Sequence, residues 1–227
     1  DMIVLVLGEN SFRHDWKRKT TGENIDRATL KLSGNQMKLA DKMFELKKPV
    51  IVVYVSGSPI AEPWLEQRAA AVVNTWESGA FAGQATAEIL FGKVNPSGKL
   101  PLTIPRSVGQ LQMVYNHKPT AYIHKYNTEK KVPLHPFGFG LSYSKFKLSE
   151  PSVSKADFAG IDDEIIVTIN VKNTSDVDGE EVVQLYIRDN ISSYTRPVKE
   201  LKGYKRVAVK AGESQTVEIP ISAESLA

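Results

Sequence analysis

The sequence predicts an α/β protein in two parts: a layer built on a mostly parallel sheet, then an all-β sandwich. Three observations carry that prediction. Two all-apolar runs, MIVLVL at 2–7 and VIVVYV at 50–55, read as strands buried on both faces. Between and after them, apolar residues recur at helical spacing, and strands alternating with helices indicate a parallel sheet covered on both sides. Past about residue 145 the apolar period becomes two, as in the half-buried strands of a sandwich.

Taken in order, the first strand closes on Gly8 and gives way to a long polar stretch, 8–34, with clustered charge. A stretch of that length without regular structure inside a compact domain marks a functional loop. Ser33 is placed to cap a helix over 35–46, whose Met37, Ala40, Met43 and Phe44 form one apolar stripe. Gly57 and Pro59 end the second strand, and 60–67 is expected to be a short helix. Residues 70–76 read as a third strand and 82–91 as a third helix stopped by Gly92. From Asn95 onward Pro101, Pro105, Pro119, Pro133 and Pro136 exclude long helices as far as residue 140. Ile165, Val167, Ile169 and Val171 then alternate with more polar neighbours. Val183, Leu185 and Ile187 repeat the pattern, as do Val217, Ile219 and Ile221. Asp178-Gly179 and Ala211-Gly212 supply turns between them, and about five such strands fit, as in a sandwich of immunoglobulin or fibronectin type.

The expected division is therefore an α/β domain at 1–118, a Pro-rich connection at 119–146 and a β-sandwich at 147–227. The apolar residues of the Pro-rich region need cover, so Phe137, Phe139 and Tyr143 are expected to be wedged between sheet and sandwich. A run like 2–7 seldom opens a chain, and the β-like segment 214–221 is followed at once by 223–227. Both ends read as the interior of a longer polypeptide.

Composition narrows the chemistry. With 29 Lys+Arg against 26 Asp+Glu the net charge is +3, too near balance to indicate a nucleic-acid or polybasic membrane partner. No apolar run approaches the roughly 18 residues of a membrane span, and the first residues lack the basic start of a signal peptide. The absence of Cys removes disulfides, thiolate metal sites and a Cys nucleophile. The four His, at 14, 117, 124 and 135, show no metal-ligand spacing, so no metal is expected. Gly138-Phe139-Gly140 has no helix after it and reads as a strand bend, while Ser56-Gly57-Ser58 lacks the flanking glycines of a nucleophile elbow. Asn173-Thr174-Ser175 and Asn190-Ile191-Ser192 match the glycosylation acceptor pattern.

The polar loop holds the residues of interest. Trp16 is either a platform for the apolar face of a sugar or a pin that holds the loop to the core. Glu9 follows the first strand, in the crevice at strand carboxyl ends where open α/β sheets bind ligands. Glu23 lies between Gly22 and Asn24, with Asp26-Arg27 close behind.

Seven blocks in order give the chain a resemblance. GENSF (8–12), TGENIDRATLKL (21–32), KPVIVVYVSGSPI (48–60), FGKVNPSGKLPLTIPRSVGQ (91–110), PLHPFGFGLSYSKF (133–146), VKNTSDVDGEEVVQLYIRD (171–189) and RPVKELKGYKRV (196–207) resemble glycoside hydrolase family 3, its bacterial β-glucosidases most of all. The resemblance implies an N-terminal (β/α)8-type barrel, an α/β sandwich and a fibronectin-III-like domain. This chain would hold a partial α/β sandwich with a mostly parallel sheet, followed by an all-β fibronectin-III-like sandwich, and none of the barrel.

It also implies a retaining exo-acting β-glycosidase that releases terminal non-reducing β-linked glucose. An Asp on the barrel attacks the anomeric carbon, and a Glu on a loop of the sandwich protonates the leaving oxygen. In relatives with a GEGYDR-like segment that Glu is the acid/base, and TGENIDR puts Glu23 there, with Glu9 as the fallback. A long loop can carry a carboxyl toward a neighbouring domain, where partial burial would raise its pKa. Glu77-Ser78-Gly79-Ala80-Phe81-Ala82-Gly83 lacks the acidic pair many relatives have after the third strand, so no sugar contact is assigned there. The partners implied are an oligosaccharide or aryl β-glycoside substrate and a barrel, in cis or as a separate chain. No cofactor is expected, and the implied location is periplasmic or secreted. The competing reading is a non-catalytic module that binds carbohydrate or a partner chain.

Overall fold

The computed structural model describes residues 1–11, 17–22, 24–110, 112–119 and 126–226. The chain forms two compact units. The first comprises Asp1–Glu88, Thr103–Met113 and His124–Pro136, and the second Ile89–Leu102, Val114–Ile123 and Phe137–Ala227.

In the first unit β1 (Ile3–Gly8), β2 (Val50–Val55) and β3 (Ala71–Asn74) form a parallel sheet in the order β1-β2-β3. The register sets Leu5 beside Val52 and Leu7 beside Tyr54, so these side chains share one face. Helices α1 (Gln36–Glu45) and α2 (Pro63–Arg68) cover that face with Met37, Ala40, Met43, Phe44, Trp64 and Leu65. Pro63 opens α2, where its missing N–H costs nothing. The expected cap of α1 is absent: Asn35 holds the N-cap position and makes no side-chain bond. Instead the Gln36 amide pairs with Gly8, accepting from its N–H and donating to its carbonyl, both at 2.8 Å. Gly8 itself has no room for a side chain, since a Cβ would lie 1.7 Å from the Val55 carbonyl oxygen. Helix α3 (Ala82–Leu90) follows β3.

The all-apolar reading of β1 needs one correction. Val4 and Val6 are 48% and 61% exposed, so β1 is buried on a single face. The described residues of the Pro-rich region form no α-helix or strand as far as residue 140, only a 3-10 turn at Val108–Gln110. Its first-unit part is tied by Ile104, whose N–H donates to the His135 carbonyl at 2.8 Å, and by buried Gln110, which donates to the Lys130 carbonyl at 2.6 Å.

The second unit is a fibronectin-III-like sandwich. β6 (Glu164–Asn173) pairs antiparallel with β4 (Phe146–Leu148), β5 (Ser152–Val153) and β9 (Ser214–Ser222), and β7 (Gly179–Ile187) pairs with β8 (Glu200–Val209). Val171, Val183, Val209, Val217 and Ile219 meet between the two sheets, one inward position in two along each strand. Along this sandwich runs a strap at 95–102. Leu100 and Gly138 pair through Leu100 N–H to the Phe139 carbonyl and Gly138 N–H to the Leu100 carbonyl, both at 2.8 Å. The Asn95 amide gathers Ser142, Tyr143, Ser144 and the Asp178 carbonyl within 2.9 Å. Phe137 stacks on Tyr115 at 4.3 Å, but Phe139 and Tyr143 remain 37% and 48% exposed. The expected cover of these aromatics is partial.

Candidate functional site

The three parallel strands of the first unit end together, and the polar residues that follow them form the candidate site. Glu9 follows β1, Ser56-Gly57-Ser58 follows β2, and Thr75-Trp76-Glu77 follows β3. Between β1 and α1 the described residues hold no helix or strand beyond a single Gly22–Ile25 bridge, so side chains fix the loop there. Thr20 and Thr21 both donate backbone N–H to the Asn10 carbonyl, and Asn10 N–H donates to Thr20 Oγ1 at 2.8 Å. Ser11 donates to Glu77 Oε1 at 2.7 Å, and Glu77 lies over Gly57, where a Cβ would come within 3.1 Å of its carboxyl.

On the far side of the loop Arg27 enters the crevice. Its Nη1 donates to Ser58 Oγ at 2.8 Å, its Nη2 to the Lys31 carbonyl at 2.5 Å, and Nη2 lies 3.1 Å from Glu9 Oε1. The Arg27 side chain is 12% exposed and the Glu9 side chain fully buried. Next to this pair, Glu62 Oε1 accepts from the Leu32 N–H at 2.8 Å. Burial pushes the Glu62 carboxyl above its ordinary value, with the Leu32 N–H and the Lys31 charge acting against it. Tyr54, at the end of β2, has its phenol pushed well above the usual range by burial and by the nearby Glu66 and Glu62. Glu66 in turn meets His135 Nε2 at 2.6 Å.

Of the residues singled out from sequence, Glu23 and Trp16 lie outside the described residues. The described neighbours of Glu23 have positive φ, 101° at Gly22 and 61° at Asn24, and Ile25 N–H donates to the Gly22 carbonyl at 3.0 Å. The fallback, Glu9, has its side chain fully buried, with Oε1 3.1 Å from Arg27 Nη2. Sequence reasoning missed Arg27 and Ser58 as members of this site. A usable signal existed, because an acidic residue directly after a buried strand needs a cation within reach and the loop contains several. Among the described residues no group of three His, Asp or Glu is placed to hold a metal ion, and no helix is long and apolar enough to cross a membrane.

Comparison with known proteins agrees with this arrangement of parts. Residues 1–143 match the glycosyl hydrolase family 3 C-terminal domain, and residues 181–227 match a fibronectin type III-like domain. A β-xylosidase of Formosa agariphila is 39% identical over the whole of this chain and 31% of its own length. A periplasmic β-glucosidase of Salmonella typhimurium is 36% identical over the whole chain and 30% of its own. The structure of a Listeria innocua β-glucosidase in complex with glucose superposes with a TM-score of 0.89 at 36% identity, covering 99% of this chain and 32% of that one. The chain thus spans about a third of the length of the curated relatives it matches. By its ordered motifs, its paired α/β and fibronectin-like units and these matches, the chain belongs to glycoside hydrolase family 3.

Proposed function

We propose that this chain supplies the general acid/base, Glu23, of a retaining exo-acting β-glycosidase of β-glucosidase type. The observation that carries the reading is the loop itself. The TGENIDR segment is tied near both its ends, by the Thr20 and Thr21 N–H groups to the Asn10 carbonyl and by Arg27 to Ser58. Such a loop can hold a carboxyl out toward a second domain at a defined place.

In the proposed mechanism the Asp nucleophile lies on a barrel outside this chain, in cis or as a separate polypeptide. It attacks the anomeric carbon while Glu23 gives its proton to the leaving oxygen. Glu23 then takes a proton from the water that releases the sugar. Retention requires the two carboxyl groups to stand about 5–5.5 Å apart, which explains the need for a loop that reaches across. Trp16 would offer an aromatic face to the substrate, an oligosaccharide or aryl β-glycoside ending in β-linked glucose. Relatives named β-glucosidase and relatives named β-xylosidase match at similar identity, and the glucose preference rests on overall resemblance. The Salmonella relative named periplasmic supports a periplasmic or secreted location.

The test is Glu23→Ala in the enzyme carrying its barrel. Turnover of glycosides with poor leaving groups should fall far more than that of activated aryl glycosides, and azide should restore part of it. Equal loss on both classes, or none, would remove Glu23 from the role. The 1–227 polypeptide alone should be inactive on an aryl glucoside, and activity without a barrel would refute the divided mechanism.

A further inference from the structure

We propose that Arg27 is the positioning residue of the acid/base segment, with Glu9 as its anchor and Ser58 as its guide. This rests on the assignment of Glu23 and adds to it a reason why the segment stands where it does. Three facts point to Arg27. Its guanidinium bonds outside its own loop to Ser58 after β2, and it pairs with Glu9 after β1, so one side chain joins the segment to two strand ends. The planar fork makes this possible, because its donors diverge at fixed angles, whereas a lysine ammonium is a point charge. Second, both charges are withdrawn from water, and the Glu9 oxygens accept no hydrogen bond among the described residues. A buried carboxylate in that condition depends on its counter-charge, so Glu9 fixes where Arg27 must lie.

Third, Arg27 follows Glu23 by four residues, and a chain advances at most about 3.6 Å per residue. The chain after Glu23 is thus tied at the Arg27 side chain, and before it the Thr20 and Thr21 N–H groups donate to the Asn10 carbonyl. A misplacement of about 1 Å in a reacting group costs on the order of a hundredfold in rate. A tether of this kind thus belongs to catalysis as well as to folding.

The experiment uses the enzyme with its barrel. It measures kcat/KM across a series of aryl and alkyl β-glucosides of rising leaving-group pKa. Arg27→Lys, Glu9→Gln and Ser58→Ala are compared with wild type, each at a known fraction of folded enzyme. Arg27→Lys should lose about a hundredfold on alkyl glucosides. On 2,4-dinitrophenyl glucoside, which needs no proton, the loss should be less than about threefold, so the dependence on leaving-group pKa steepens. Glu9→Gln should steepen it as well and Ser58→Ala less. If Arg27→Lys does not fold, the other two variants decide the question. A uniform loss along the series, or an unchanged slope, overturns the proposal, since a merely structural role lowers every substrate alike. Glu23→Ala in parallel separates the two ideas. A steep slope there with a flat one for Arg27→Lys removes Arg27 alone, while a flat slope for Glu23→Ala removes the acid/base assignment and this inference with it.

Discussion

Asn173 ends β6 with its side chain fully buried, and replacing it tests how the sandwich is closed. Its Nδ2 donates to the Val177 carbonyl at 2.8 Å and the Val209 carbonyl at 3.1 Å, while its Oδ1 accepts from Ser175 N–H at 3.0 Å and Ser175 Oγ at 2.6 Å. One amide thus shapes the turn after β6 and joins it to the end of β8. In Asn173→Ala, the Val177 carbonyl and the Ser175 groups can turn to water, each losing about 0.5 kcal/mol net. The bond at Val209 is different, because that residue is buried and its carbonyl would be stranded, at a cost of about 2 kcal/mol. The total is about 3.5 kcal/mol, a fall in Tm of roughly 14 °C at about 4 °C per kcal/mol, the value where the ranges for smaller and larger domains meet. Urea unfolding followed by far-UV circular dichroism measures it, with an unchanged m-value as the sign that stability alone has moved. Asn173→Asp should be no better than Ala, since a carboxylate oxygen would face two carbonyls. Asn190→Ala, at the exposed second acceptor-like motif, should stay within about 0.5 kcal/mol. A loss below about 1 kcal/mol for Asn173→Ala, or wild-type behaviour of Asn173→Asp, would refute the reasoning. The same bonds leave no amide nitrogen of Asn173 free for glycosylation in the folded chain.

Two further outcomes follow from the geometry. Glu62 is held above its ordinary pKa by burial, so the folded chain binds its proton more tightly than the unfolded chain, and stability falls as pH rises from about 4.5 through the folded-state value. Glu62→Gln keeps an acceptor for Leu32 and should show a smaller fall in Tm between pH 4 and pH 7; an equal fall in both proteins would contradict this. At Gly140 a Cβ would lie 2.0 Å from the Gly98 carbonyl oxygen, so Gly140→Ala must part the strap from 137–140 at a cost of about 2–3 kcal/mol. Gly98→Ala, with nothing within 4 Å of its Cβ, should be close to neutral in the same urea melts.

The parts most legible in the sequence were those whose signal is local. Periods of two and the turns at Asp178-Gly179 and Ala211-Gly212 foretold β6, β7 and β9, because alternate burial writes itself into alternate residues. β8 was not foreseen. Its Tyr204, Lys205 and Arg206 face solvent, and the register shift at Leu185/Tyr186 across from it breaks the pattern of its partner. The run MIVLVL looked buried on both sides because Val4 and Val6 are as apolar as Leu5 and Leu7, and the sequence of a strand does not say which face is covered. In the site, the crevice after β1 was legible from strand and loop alone, whereas the segment around Glu23 was singled out by the family resemblance. The Glu9–Arg27 pair was not, because the two residues lie 18 apart in a polar stretch where charges ordinarily face water. What joins them is the return of the loop to the sheet, a tertiary event with no spacing rule.

The interleaving of the two units bears on synthesis and on dissection. Each unit is assembled from three separated stretches. A ribosome delivering this chain finishes the sheet of the first unit early, yet that unit waits for Thr103–Met113 and His124–Pro136 before it is whole. The strap of the second unit emerges long before its strands; Asn95 meets Asp178 only after 83 further residues have been made. Such closures tie folding to distant contacts, which slows it. For the same reason no single cut yields either unit intact. A fragment begun at residue 147 would present β7 and β8 without the strap that lies along them, and one ended at 118 would lack His135, the partner of Glu66. Swapping either unit between relatives therefore means exchanging several short stretches together.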